Sequence, residues 1–75
     1  MAFVTGQVRT PGAVTVGKDT TVLQALSLAG GLTDRGSDSR IRILRMVNGK
    51  RVEMKAQLDQ NVQVGDTLVV LSRFF

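Results

Sequence analysis

The side chains of this 75-residue chain that could do chemistry are cations and carboxylates, because it contains no histidine and no cysteine. Without them it can build no Ser-His-Asp triad, no Cys-His pair and no histidine or thiolate zinc site. Asp34, Asp38, Asp59 and Asp66 all fall in expected loops, and nothing in their spacing makes two of them converge as an acid/base pair must. The run Asp34 to Asp38 lacks the ligand count of a calcium loop. Asp66, after Gly65, is expected to hydrogen-bond the backbone of its own turn. Gly30-Gly31 closes a helix, where carbonyls point outward, whereas a phosphate cradle opens one. The expectation is therefore a non-enzymatic chain with no metal and no cofactor. One constellation remains. Arg40, Arg42 and Lys55 fall on one face of an expected hairpin, with Arg51 nearby. They read either as an anion-binding strip or as a solvated sheet face partly neutralised by Glu53. Single-stranded nucleic acid binding adds stacking aromatics to such a strip. The only aromatics, Phe3, Phe74 and Phe75, are terminal, so nucleic acid is disfavoured as a partner.

The hairpin that must position these cations is marked by Asn48-Gly49 between the runs RIRILRMV and KRVEMKA. Both turn residues tolerate the positive φ of a type I′ turn. A two-residue loop sets Val47 opposite Lys50 and fixes the register. Ile43 then pairs with Met54 and Ile41 with Ala56 on the core face, which Arg45 and Val52 share near the turn. Arg42 pairs with Lys55, Leu44 with Glu53 and Met46 with Arg51 on the other face. Leu44 and Met46 thus point outward as a candidate interface, unless a β-bulge near Leu44-Arg45 turns one of them inward.

Upstream, residues 3–8 read as a strand, Pro11-Gly12 as a turn and residues 13–16 as a second short strand. Thr21 and Gln24 have the spacing of a capping box, and Val22, Ala25, Leu26 and Ala29 share a helical face. Gly30 suits the left-handed position that stops a helix. This helix, too short to stand alone, is expected to pack on Ile41, Ile43 and Val69. Residues 32–39 read as a mobile loop. Leu58 and Val62 should anchor a crossing segment with residues 59–61 exposed. Gly65-Asp66 launches Thr67–Leu71, whose nearly unbroken apolar run reads as an interior strand. Gly6, Gly12 and Gly65 read as turn, bulge or close-approach positions.

The whole is expected to be one α+β domain over residues 1–75, a mixed sheet of two hairpins plus a final strand with one helix across it. A chain this small buries only about 60% of its extended surface on folding. Its net charge of +4 lies within the ordinary range of a soluble domain and also suits an acidic partner. No apolar run approaches the roughly 20 residues needed to span a bilayer. Met1-Ala2 leads straight into a strand, as expected of a domain excised from a larger chain.

Val4, Gly6, Val8, Pro11 and Gly12 match the V-x-G-x-V-x-x-P-G pattern of the SLBB domain, the soluble-ligand-binding β-grasp. Ala29, Gly30 and Gly31 match its helix-ending A-G-G. Gly65 and Asp66 match its P-G-D turn, with Val64 in place of proline. The chain resembles in particular the SLBB domains of outer-membrane polysaccharide export proteins. That resemblance implies a β-grasp fold and a place in a homo-oligomeric ring, periplasmic or outer-membrane-associated. It also implies contact with polysaccharide and work alongside an inner-membrane polysaccharide copolymerase. SLBB domains occur too in DNA-uptake proteins and cobalamin carriers, so a soluble-ligand receptor and a nucleic-acid-associated module stand as alternatives. The matched positions are scaffold residues, which speak to fold more than to function.

Overall fold

The computed structural model of the chain describes residues 1–73; Phe74 and Phe75 lie outside the described residues. It contains strands β1 (Ala2–Gly6), β2 (Gly12–Val14), β3 (Gly36–Val47), β4 (Lys50–Ala56) and β5 (Thr67–Ser72), and one helix, α1 (Val22–Leu28). The strands form one sheet in the order β2-β1-β5-β3-β4. β1 and β5 run parallel, while the other neighbours are antiparallel. This is the expected mixed α+β sheet of a β-grasp, with β5 interior as its apolar run requires.

The registers divide the sheet into two faces. Val4, Leu68, Ile43 and Met54 form one cross-strand rung, and Gly6, Val70, Ile41 and Ala56 the next. Both lie on the core face, where Val22, Ala25, Leu26 and Ala29 of the helical segment join the same buried cluster. The opposite rungs are Ala13, Phe3, Thr67, Leu44 and Glu53, then Thr5, Val69, Arg42 and Lys55. Val69, expected beneath the helix, therefore belongs to the other face. β5 pairs with β3 so that Leu68 and Val70 point inward, and the period of two carries Val69 out.

The ends of α1 are closed from all sides. Thr21 Oγ1 accepts from Gln24 N at 3.2 Å, and Gln24 Oε1 accepts from Thr21 N at 2.9 Å. The next free amides, Val22 N and Leu23 N, donate to the Gln60 and Leu58 carbonyls at 2.8 and 3.0 Å. The crossing segment thus satisfies the orphan donors of the first turn. The same contacts leave Gln60 half-buried, not exposed like Asp59 and Asn61. At the other end, Gly31 N donates to Leu26 O and Gly30 N to Ser27 O, with φ of 86° and 83°. This is a Schellman stop, which needs left-handed residues.

Three boundaries depart from expectation. β1 ends at Gly6, not residue 8; there φ is +89° and the backbone lies so close to Val70 that a Cβ would collide with its carbonyl oxygen, a turn only glycine makes. The chain then leaves the sheet, and Arg9 N and Thr10 N bond the Gly31 and Ala29 carbonyls. β2 is only Gly12–Val14, with Val16 buried beyond it. The expected loop 32–39 yields its second half to β3, which begins at Gly36 and bulges before Ile41. Polar side chains there bond each other: Ser37 Oγ lies 3.1 Å from Ser39 Oγ and accepts from Ser39 N. Such local pairing lets a turn-like composition extend a strand. The β3–β4 hairpin keeps the expected register at all seven pairs, Ile41–Ala56 through Val47–Lys50. Asn48 and Gly49 adopt φ of 51° and 79°. No bulge occurs near Leu44-Arg45.

Candidate functional site

The hairpin register places Arg42, Arg51 and Lys55 on the sheet face away from the helix. Arg42 and Lys55 are directly opposed across the strands, and Arg51 faces Met46. Two like charges in one rung repel, so this arrangement favours an anion laid over them. Glu53 stands between Arg51 and Lys55 on the same row and offsets part of the charge. Arg40 stands just before the first pair of the hairpin register, Ile41–Ala56. It lies at the bulge, and its Nη1 donates to the Ser72 carbonyl at 3.1 Å, which ties it to β5.

The apolar part of this face is continuous with the cations. Leu44 is half-buried beside Thr67 and Glu53, and Met46 is 61% exposed. Phe3, half exposed, lies in the same rung as Leu44 across β5. Among the described residues no helix covers this side, so aliphatic and aromatic surface meets water beside guanidinium and ammonium groups.

A second concavity opens where β3 bulges. It encloses about 600 Å3 and is lined in part by Thr33, Asp34, Ser37, Asp38, Ser39 and Arg73. Hydroxyls, carboxylates and a guanidinium in one cleft supply donors and acceptors together, the chemistry that fits a polyhydroxylated ligand. Nothing in the spacing of these residues points to it, since the cleft exists only because the loop folds back as a strand.

Sequence reasoning also missed an ion pair. Arg45 Nε donates to Asp66 Oδ1 at 3.0 Å and Nη2 to Oδ2 at 2.8 Å, a bidentate fork. Asp66 is 1% exposed. Its Oδ2 also accepts from Gln63 N at 2.8 Å, the expected turn bond. The hydrogen bond to Asp66 raises the Arg45 guanidinium above its ordinary pKa; burial works against this and the charge of Asp66 adds to it. The signal was present: the hairpin register puts Arg45 on the core face, and an inward arginine needs a carboxylate. Its partner could be named only once β3 was known to pair with β5. Asp66 is thereby a structural residue.

The turns that carry the scaffold pattern now have their reasons, and the family can be compared directly. The SLBB domain profile matches residues 1–55. This chain belongs to the SLBB family. None of the curated proteins compared matches it. Within the SLBB domain the matched stretch includes Gly6, Pro11, Gly12 and the helix stop at Gly30-Gly31, together with most of the basic hairpin. The strand β5 and the Arg45 partner Asp66 lie beyond it, yet they hold the two halves of the sheet together.

Proposed function

We propose that this SLBB domain is a non-catalytic module of a polysaccharide export or secretion protein, periplasmic or outer-membrane-associated in its parent. Its uncovered sheet face meets either an anionic polysaccharide or a neighbouring copy in a homo-oligomer. An inner-membrane polysaccharide copolymerase is the expected working partner of that parent. The observation that carries the reading is the composition of this face: Arg42, Lys55 and Arg51 outnumber Glu53 and stand beside Leu44, Met46 and Phe3. Such a surface attracts a chain of carboxylated sugars and still offers apolar contact. The absence of histidine and cysteine, with Asp66 committed to Arg45, supports a binding role over catalysis.

The test is titration of the domain with a uronate-rich polysaccharide and with a neutral one, followed by amide NMR shifts. Binding of the acidic glycan should perturb Arg42, Arg51 and Lys55 and weaken in Arg42→Ser/Lys55→Ser. Equal binding of both glycans, unaffected by those changes, would rule the face out. The polar cleft at the bulge favours a second reading, a receptor for a small soluble sugar. Saturable shifts confined to Thr33, Ser37 and Ser39 would support it.

A further inference from the structure

β4 is the outer strand of the sheet, and its free edge extends over seven residues. Among the described residues no backbone hydrogen bond reaches Lys50–Ala56 from outside the β3 ladder. In a hairpin closed by two residues, the flanking pair Val47–Lys50 exchanges both hydrogen bonds. The alternation then turns the backbone groups of Lys50, Val52, Met54 and Ala56 toward β3. Those of Arg51, Glu53 and Lys55 point out into the open edge. The other edge strand, β2, has only three residues and offers far less.

Open edges are templates for further strands, and charges along them restrict which strand is accepted. The charges here select a register. We infer that the β4 edge pairs antiparallel with β4 of a second copy of this chain, with Glu53 of each copy opposite Lys55 of the other. Glu53 and Lys55 both carry outward backbone groups, so each such pair is a hydrogen-bonded one, and the two-fold axis makes two of them. The axis passes between Met54 and its own counterpart, a close non-hydrogen-bonded pair. Val52 then lies opposite Ala56, so the helix-side row meets apolar against apolar. Val52 is 37% exposed and gains cover from the second copy.

Neighbouring registers are worse. Moving by two residues toward the turn sets Glu53 against Glu53 and Arg51 against Lys55, three like-charge pairs in a row. A further two-residue step pairs Glu53 with Arg51, but it places Lys50 opposite Met54 and brings Asn48-Gly49 against the other strand's end. A one-residue slip puts the charged row against the apolar one. The contact is isologous, because the same strand serves both copies. It joins the backbone edge of β4, while the side chains of Glu53 and Lys55 project on the uncovered face and are shared with the cation row there; the pairing is argued from the edge and does not depend on the glycan reading. One strand edge is far smaller than a standard interface of about 1,600 Å2, so the pair should be weak, with a Kd of about 0.1–1 mM.

The test uses the 75-residue chain at low ionic strength, with sedimentation equilibrium up to about 2 mM, a few-fold above that Kd. Dimers should form with rising concentration, and slowed amide exchange should appear at Arg51, Glu53 and Lys55. Glu53→Lys and Lys55→Glu should each weaken dimerisation about tenfold or more, the cost of like charges directly opposed in two symmetric pairs. The combined Glu53→Lys/Lys55→Glu variant should restore it. Lys55→Glu decides most, because it lowers the net charge from +4 to +2. General repulsion would then fall, so dimerisation by any contact away from this edge should strengthen. A Lys55→Glu chain that associates as well as the parent or better overturns the proposal, as does a chain still monomeric at the highest concentration. Loss on Arg51→Glu but not on Lys55→Glu would overturn the register in favour of the one nearer the turn.

Discussion

At the scale of single residues, Arg45 and Asp66 carry the largest electrostatic stake in the fold. Their fork joins β3 to the turn that launches β5, and the Asp66 carbonyl also accepts from Phe3 N on β1 at 2.9 Å. Breaking a buried pair from one side leaves a charge without a partner in a dry site. Arg45→Met should therefore cost about 3–5 kcal/mol in chemical denaturation. Adding Asp66→Asn to it should recover part of that loss, since the amide oxygen can still accept from Gln63 N. If the double variant is less stable than Arg45→Met, Asp66 matters to the turn more than to the pair. The pH dependence has a definite sign. A guanidinium whose pKa is raised on folding contributes stability that is complete below its ordinary value and lost only as pH rises through the folded value. The penalty of Arg45→Met should show no decline from this group between about pH 6 and about pH 9, far below the guanidinium range.

At the scale of elements, the helix and the Gln63–Asp66 turn make opposite predictions. Leu26 is 3% exposed in the shared core, and a seven-residue helix draws its stability from that face. Leu26→Ala should cost about 2–5 kcal/mol, checked by urea unfolding. A loss below about 1 kcal/mol would mean the helix face is not the packing face. The turn, by contrast, can be improved. Asp66 N donates to Gln63 O at 3.0 Å, and Gly65 has φ of +91°, the pattern of a type II turn with Val64 at its second position. Val64 is 72% exposed, and its amide makes none of the described backbone bonds. Proline, the residue of the SLBB pattern, fits that position, so Val64→Pro should add about 0.4–1 kcal/mol by restricting the unfolded chain. A lower melting temperature in the variant would show that the Val64 backbone is not set for proline.

At the scale of the whole molecule, the described residues form a five-stranded sheet with one helix on one face and leave the other face open. Leu44 and Met46 lie on that open side, beside the cations. In a full-length parent that assembles as a homo-oligomer, Leu44→Glu with Met46→Lys should reduce ring size or yield, measured by light scattering. Unchanged assembly with a folded domain would remove this face from the subunit contact and leave it to an anionic glycan. The changes sit away from the core rungs but set like charges opposite Glu53 and Arg51, so stability should fall by about 0.5–2 kcal/mol, and thermal unfolding of the isolated domain checks that it remains folded.

How much of this was legible follows from the range of the interactions. Asn48-Gly49 dictates a two-residue turn, and a two-residue turn dictates its register. All seven pairs of the β3–β4 hairpin, and with them the facing of Arg42, Leu44, Met46 and Lys55, were therefore readable from neighbouring residues alone. The capping box at Thr21 and Gln24 and the stop at Gly30-Gly31 were readable for the same reason, since each bond spans a few residues. The order of strands was not written locally. Val69 was placed on the wrong face because its orientation depends on how β5 meets β3, a contact between segments some 25 residues apart. Gly6 looks like any turn glycine until the Val70 carbonyl is brought against it. Residues 36–39 have loop composition, and only the pairing of Gly36 with Ser72 makes them strand and opens the polar cleft beside them. The sequence by itself determined the local turns, the helix and the chemistry available on each strand face. The tertiary structure decided which faces were buried, that Arg45 would find Asp66, and that the basic side of the sheet would stay open, because those outcomes rest on contacts that exist only after the chain has closed on itself.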